Sequence, residues 1–476
     1  MIRIISLRIT TEENMMTDKY FQKNWTTNNN GYELNDSEVE RYISVVPSSN
    51  QLRLASKPFY CFVHFGMNTA TGREWGAGIE TVNDFTIKSI NASQWVNVIK
   101  SSGATGIILT CKHHDGFCLW NTDFTDFSVK NTSFNGDIVK MVSTECKKQG
   151  MDFGVYLSPW DMHDSRYGTD EYNDYFCNQL TELLTNYGSI NEVWFDGAKG
   201  SNAVDFEYDW QRYYDLIHNL QPDANIAICG PDIRWVGNEG GRTRKSEFSV
   251  VPQSLTDVEK TIKNSQHDES KASSLQKYTS KDEDLGSRKI LSKNANLCWY
   301  PAEVDVSIRK GWFYSKKGNK TVKSAKKLFN IYLSSVGNNC TLLLNVPPTN
   351  KGVIHRKDAK QLKKLGNMIC SITEKPVLVQ NLGTLNENNG YIDFDFDSTK
   401  SLRFVVIEED IAFSQRVEAF ELFVKKQNGR FKKVYSGTVI GSKKIISLKG
   451  VKANGVRFLI KQSRSNPIIK SIGFYE

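Results

Sequence analysis

Short apolar runs alternate with longer segments of helical spacing over the first half of the chain. Phe59–Gly66 is a run of apolar residues ending in glycine, the mark of a buried strand. Gly106–Thr110, Asp152–Leu157, Glu192–Phe195 and Asn225–Ile228 repeat that texture. Between them lie four predicted amphipathic helices: Ser93–Ser101, Asp137–Lys148, Glu171–Tyr187 and Tyr208–Leu220. The alternation predicts an α/β fold with a parallel sheet, and a spacing of about 45 residues per unit suits a (β/α)8-like TIM barrel. The second half of that barrel is less regular. Residues 254–294 are polar with little periodicity and are read as an insertion, a long loop in part mobile. Ser324–Ser335 is helical in pattern, Thr341–Asn345 is a last barrel strand, and His355–Ile369 is a closing helix.

Both ends of the chain differ from this pattern. Residues 1–50 are polar and rich in asparagine, and read as a loose N-terminal arm. From about Val377 the apolar positions alternate with period two in Tyr391–Phe396, Leu402–Ile407, Ala419–Val424 and Val456–Ile460, with turn residues such as Asn428 and Gly429 between them. That texture predicts an all-β sandwich. The expected organisation is an arm over 1–50, a catalytic barrel over 51–372 and a C-terminal β-sandwich over 373–476.

Composition narrows the function. With 39% hydrophobic and 24% charged residues in 476, the chain can bury a core. No apolar run approaches the roughly 20 residues that span a bilayer. The net charge of +8 lies in scattered lysine doublets such as Lys316-Lys317 and Lys443-Lys444, not in one stripe, so nucleic acid is not an expected partner. Nine cysteines occur singly with no CxxC pair, which argues against a disulfide framework, and Cys111 and Cys229 read as small buried residues. Arg8 interrupts the N-terminal apolar residues before a secretory signal develops, and the compartment stays open.

Catalytic groups of such barrels gather at the C-terminal ends of the strands. These ends carry His64; Lys112, His113 and His114; Tyr156, Ser158 and Trp160; Trp194 and Asp196; and the stretch Gly230–Gly240. Later come Trp299 and Trp312. Nearly every one places a polar group beside an aromatic one, a mixture that suits a carbohydrate: rings cover its C–H face and polar groups bind its hydroxyls. Asp196 closes an apolar strand, where a carboxylate is expensive unless it has a role; capping the following loop is the alternative. His113 and His114 invite a metal reading, but neighbours on a strand face opposite ways and no HxxxH or HExxH pair exists, so binding of sugar hydroxyls is preferred.

Five segments carry a resemblance. Phe62–Gly66, Glu74-Trp75, Lys112–Phe117, Gly154–Tyr156 and Glu192–Gly197, in that order, resemble the motifs of the α-L-fucosidases of glycoside hydrolase family 29. The resemblance implies a retaining hydrolase that works through a covalent fucosyl-enzyme intermediate and needs no cofactor or metal. It places the nucleophile on Asp196. His64, Glu74, Trp75, His113, His114, Tyr156 and Trp194 match positions that form the fucose pocket, and Trp312 resembles the wall that receives the sugar's methyl group. The acid/base position varies within the family. Gly230–Glu239 resembles the subgroup that prefers branched α-1,3/1,4-linked fucose, as in Lewis-type glycans, which points to Glu239, with Glu247 as second choice. The implied partners are fucosylated oligosaccharides or glycoconjugates, and the family suggests secretion, periplasm or lysosome. Two other readings are a non-catalytic carbohydrate-binding protein on the same fold and a metal-dependent hydrolase using His113 and His114.

Overall fold

The computed structural model describes residues 33–134, 136–200, 206–265, 280–386 and 390–476. Its centre is a sheet of eight parallel strands: β1 (Phe59–Val63), β2 (Gly106–Lys112), β3 (Asp152–Leu157), β4 (Glu192–Phe195), β5 (Asn225–Ile228), β6 (Arg234–Trp235), β7 (Ala302–Ser307) and β8 (Cys340–Asn345). Their order is β5-β4-β3-β2-β1-β8-β7-β6. A parallel bridge between Ala227 and Ile233 brings β5 to β6 and nearly closes the barrel.

No helix separates β5 from β6. The link is a tight loop in which Ile228 takes a left-handed φ of 69° and its N–H donates to the Ile233 carbonyl. Asp232 Oδ2 accepts the Ile226 N–H at 2.8 Å and fastens the loop back on β5. Neither β6 nor β7 stands out from the sequence as a strand. β6 is only two residues long, and β7 alternates acidic and apolar residues, which hides a strand buried on both faces.

Four helices (Ala92–Lys100, Ile138–Gln149, Glu171–Asn186 and Trp210–Leu220) cover β1–β5 within about two residues of the predicted segments, and Ala325–Ser335 and Arg356–Cys370 flank β8. Their apolar faces and the outward side chains of the strands make one large cluster that includes Trp95, Leu109, Val142, Leu180, Phe195 and Leu365. A smaller cluster fills the barrel itself: Tyr60, Phe62, Ile108, Tyr156, Trp194, Ile233 and Leu343. Gly154 lies against that interior. A methyl group on it would stand 2.8 Å from the Glu192 carbonyl oxygen and 3.1 Å from Ile108 Cγ1.

The segment read as a loose arm is partly helical from Asp36 on. Asp36–Ile43 and Ser49–Ser56 are helices, each opened by a capping box, from Asn35 and Ser48 respectively. Tyr42 is buried in a cluster with Val250, Leu291 and Trp299. Residues 1–32 of the expected arm lie outside the described residues. The region read as a polar loop also holds helices, Val258–Ser265 and Arg288–Leu291. Ile262 packs on the main core, and the Arg288 guanidinium pairs with Glu418 at 2.6 Å. Residues 266–279 of that loop lie outside the described residues.

The C-terminal part is antiparallel. Its two longest strands, Tyr391–Glu409 and Lys444–Ser463, pair with each other along most of their length. The pairing shifts register between Asp395 and Lys400 and between Leu402 and Phe404, where bulges bend the strands. Val417–Lys425 and Phe431–Gly437 extend this sheet on one side, and Ile468–Tyr475 and Pro376–Gln380 on the other. Leu402, Phe420, Val456, Phe458 and Ile472 belong to one buried apolar cluster. Phe404, Ile445 and Tyr475 join the barrel's own core cluster, so the sandwich is packed against the barrel. The strands near 391–396 and 402–407, two in the sequence reading, are one continuous bent strand.

Gly154→Ala is expected to lower the free energy of unfolding by about 1–3 kcal/mol, because the nearest obstacle is backbone and cannot swing away. Urea unfolding of the two proteins checks this.

Candidate active site

The two-residue pleat selects which side chains enter the barrel. On β1 they are Tyr60, Phe62 and His64; on β4 Glu192, Trp194 and Asp196; on β7 Glu303, Asp305 and Ser307. His64, Asp196 and Asp305 of these series face a cavity of about 500 Å³, lined also by Trp75, His113, His114, Trp194, Glu239 and Trp312. Asp196 follows β4 directly. Its Oδ1 accepts the Ala198 N–H at 2.8 Å, and its Oδ2 accepts the Tyr156 hydroxyl at 3.0 Å. Tyr156 is fully buried, stacked on Trp194 with ring centroids 5.4 Å apart.

The hydrogen-bond partners fix two histidine tautomers. Asn345 Nδ2 donates to Ser307 Oγ and to the Trp312 carbonyl, so its Oδ1 faces His64 Nδ1, 2.9 Å away. His64 Nδ1 must therefore carry the hydrogen, and Nε2 is a bare acceptor. Ser158 Oγ gives its one hydrogen to the Trp160 carbonyl, so it accepts from His114 Nδ1 at 2.8 Å, and His114 Nε2 is bare as well. Burial pushes all three imidazoles down: His64 to about 3, His113 well below its usual value and His114 lower too. They are neutral at ordinary pH. The approach of His114 Nε2 to Asp196 Oδ2, 3.9 Å, is accordingly not an ion pair. Two neutral acceptors beside a carboxylate suit the hydroxyls of a sugar.

His113 and His114 do not face opposite ways. β2 has a register break between Thr110 and Lys112, and both histidines lie past its end. A turn closed by Gly116 N–H on the His113 carbonyl, with Gly116 at φ 82°, sets their rings 4.1 Å apart on the same cavity. Asp115 supports that turn by accepting from Phe117 N–H and Asn68 Nδ2. Among the described residues no group of three His, Cys, Asp or Glu is arranged to hold a metal ion.

The remaining residues singled out from the sequence divide. Trp75, half exposed, meets His114 and Trp160 edge-on at the mouth. Trp312 stands 5.0 Å from His64 between ring centroids, and its Nε1 donates to Glu239 Oε2 at 3.3 Å. Glu74 does not line the cavity: its carboxylate accepts the Trp312 backbone N–H and holds that loop. Glu247 is also outside. It is buried between two guanidiniums, Arg234 at 2.7 Å and Arg244 at 3.0 Å, and burial's upward push on its pKa is outweighed by these charges, which hold it below the usual range.

Trp160 and Trp235, both at strand ends in the sequence, line the cavity, and so do two residues the sequence does not mark, Lys199 and Asp305. Asp305 is buried and accepts the Trp235 indole N–H at 2.9 Å. The signal for it exists in Ala302–Ser307, where Glu, Asp and Ser alternate with apolar residues inside a strand that must be buried.

Comparison with known proteins agrees with this geometry. The alpha-L-fucosidase family model matches residues 64–371. The chain belongs to the α-L-fucosidase family. It is 36% identical over 466 residues to alpha-L-fucosidase 1 of Arabidopsis thaliana, covering 90% of this chain and 87% of the relative. A solved structure of a glycoside hydrolase 29 family member from an unknown rumen bacterium superposes with a TM-score of 0.76 at 34% identity, covering 90% of this chain and 77% of that one. A Ruminococcus gnavus family 29 fucosidase in complex with fucose gives 0.77 at 28% identity, covering 96% and 98%. The chain is thus an α-L-fucosidase, a glycoside hydrolase acting on fucosylated glycans.

Glu247→Gln is expected to cost about 3–5 kcal/mol of stability, because two buried guanidiniums lose their counter-charge. The folded fraction should keep its kcat within about twofold. Unfolding curves and active-site-normalised rates measure the two effects separately.

Proposed function

We propose that this α-L-fucosidase is a retaining enzyme with Asp196 as nucleophile and Glu239 as acid/base. The observation that carries the reading is that both carboxyls enter one aromatic cavity, while Glu247 is locked in an ion-paired cluster outside it. In the first step an Asp196 oxygen attacks the anomeric carbon. The bond from that carbon to the leaving oxygen breaks, and Glu239 gives that oxygen its proton. In the second step Glu239, now a carboxylate, takes a proton from water. The water oxygen bonds to the anomeric carbon, and Asp196 leaves as carboxylate.

The surroundings fit these roles. Tyr156 and the Ala198 N–H hold the Asp196 carboxylate in one orientation, and the Trp312 indole does the same for Glu239. His64 and His114 offer bare Nε2 acceptors, and His113 and Trp194 complete the pocket. Trp75 covers the sugar at the mouth, with Glu74 acting through the Trp312 loop. Contacts that tighten as the ring flattens lower the barrier. The Gly230–Glu239 stretch supports branched α-1,3/1,4-linked fucose as the preferred substrate. The barrel over 51–372 carries this chemistry, and the sandwich over 373–476 is a structural cover.

The test compares an aryl α-L-fucoside with a Lewis-type trisaccharide. Asp196→Asn is expected to lose roughly a thousandfold or more in kcat on both. Glu239→Ala should lose most activity on the trisaccharide and regain turnover of the aryl fucoside with azide. NMR of the first fucose released should show the α-anomer. First release of the β-anomer would overturn retention, and failure to cleave the trisaccharide would overturn the linkage preference.

A further inference from the structure

Beneath the cavity the barrel holds a second pair of carboxyls. Glu192 opens β4 and Glu303 sits on β7; both side chains are buried, at 1% and 0% exposure. They lie within hydrogen-bonding reach of each other. Glu303 Oε1 accepts the Trp194 indole N–H at 2.9 Å. Among the described residues, no donor reaches Glu303 Oε2 or either oxygen of Glu192. Two ionised carboxylates cannot face each other in a closed apolar interior, and one proton between them turns the repulsion into a hydrogen bond.

We propose that Glu192 and Glu303 share one proton, and that the pair is a positioning element for catalysis acting through Trp194. The line of contact is short. Glu303 fixes the Trp194 indole, Trp194 stacks on Tyr156, and Tyr156 donates to Asp196 Oδ2. Removing the proton would put a second charge under the floor of the pocket and loosen the ring that orients Tyr156.

The groups around the pair do not supply an alternative counter-charge. Asp232, in the β5–β6 loop, adds negative charge on the Glu192 side. Tyr60 on β1 faces Glu192 but has its hydroxyl on Asp152. Asp305, one rung above Glu303 on β7, is itself pushed well up by burial and accepts from Trp235. Burial likewise raises both members of the pair, Glu303 to about 7 and Glu192 well above its usual value.

The sign of the pH effect follows. A carboxyl whose pKa is raised on folding contributes stability that is complete below its unfolded value, near 4.5, and lost as pH rises through the folded value. The depressed histidines act oppositely, losing stability as pH falls below 6.5, but they are common to wild type and variants. The experiment measures the folding constant by urea unfolding at pH 5 and pH 8. Between these values, wild type should lose at least about tenfold more than Glu192→Gln, whose amide still donates but does not titrate. Parallel curves would overturn the shared proton.

The positioning role rests on Asp196 being the nucleophile, whereas the unfolding measurement does not, so the two can fail separately. Glu303→Ala is expected to cut kcat/KM on an aryl fucoside at least about tenfold, and Glu303→Gln should recover most of it because its carbonyl can still accept from Trp194. Equal loss in both variants, at equal folded fraction, would overturn that role.

Discussion

The Tyr156–Asp196 hydrogen bond is the contact on which the site turns. It joins two adjacent strands at the height where the barrel opens, and it exists because the pleat sends residues 156 and 196 to the same interior. β3 and β4 are paired so that Tyr156 lies beside Trp194, one inward rung below Asp196. A tyrosine there can stack on the tryptophan and still reach the carboxylate with its hydroxyl. A shift of one residue in either strand would turn that strand's polar group into the helical shell and break the contact. The aromatic packing beneath, Phe62 edge-on to both Tyr156 and Trp194, leaves those rings little freedom to move.

The parts of this arrangement that follow the two-residue period were legible in the sequence. His64, Tyr156, Trp194 and Asp196 each end or follow an apolar run, and the first five strands and six flanking helices lie close to where the periodicity puts them. What was hidden lacks such a run. β6 is fixed by its neighbours, by Asp232 and by a left-handed Ile228, not by its own composition. β7 contributes Glu303 and Asp305, which look like solvent-facing residues until the strand is known to be buried on both sides. Opposite faces for His113 and His114 would require the strand to continue through them. The register break before Lys112 and the turn at Gly116 instead bring both rings to the cavity.

Glu239 and Glu247 show why residue type and spacing could not decide the acid/base alone. The two are eight positions apart, and both follow β6. Glu247 meets two guanidiniums and a backbone N–H in a dry site, so its proton is held off and its oxygens are occupied. Such a group is a poor proton donor at neutral pH. Glu239 is solvent-accessible at the cavity wall and accepts from the Trp312 indole, a setting that suits the acid/base role proposed for it. Burial and pairing, not sequence context, separate the ion-paired Glu247 from Glu239, the acid/base proposed above.

Indole N–H groups recur as the means of holding acids in this barrel. Trp194 donates to Glu303, Trp235 to Asp305 and Trp312 to Glu239. An indole offers one donor and no acceptor, and it brings no formal charge. A lysine or arginine in its place would hold the acid ionised, as Arg234 and Arg244 do for Glu247. The indole fixes the direction of a carboxyl while leaving its protonation to the surroundings. For the proposed mechanism, in which a carboxyl passes a proton, that distinction matters more than the strength of any single bond. The aromatic body of each tryptophan also lines the cavity, giving it an apolar wall. One residue type thus meets both the electrostatic and the shape requirement of the pocket, which accounts for three of them converging on three acids within one barrel.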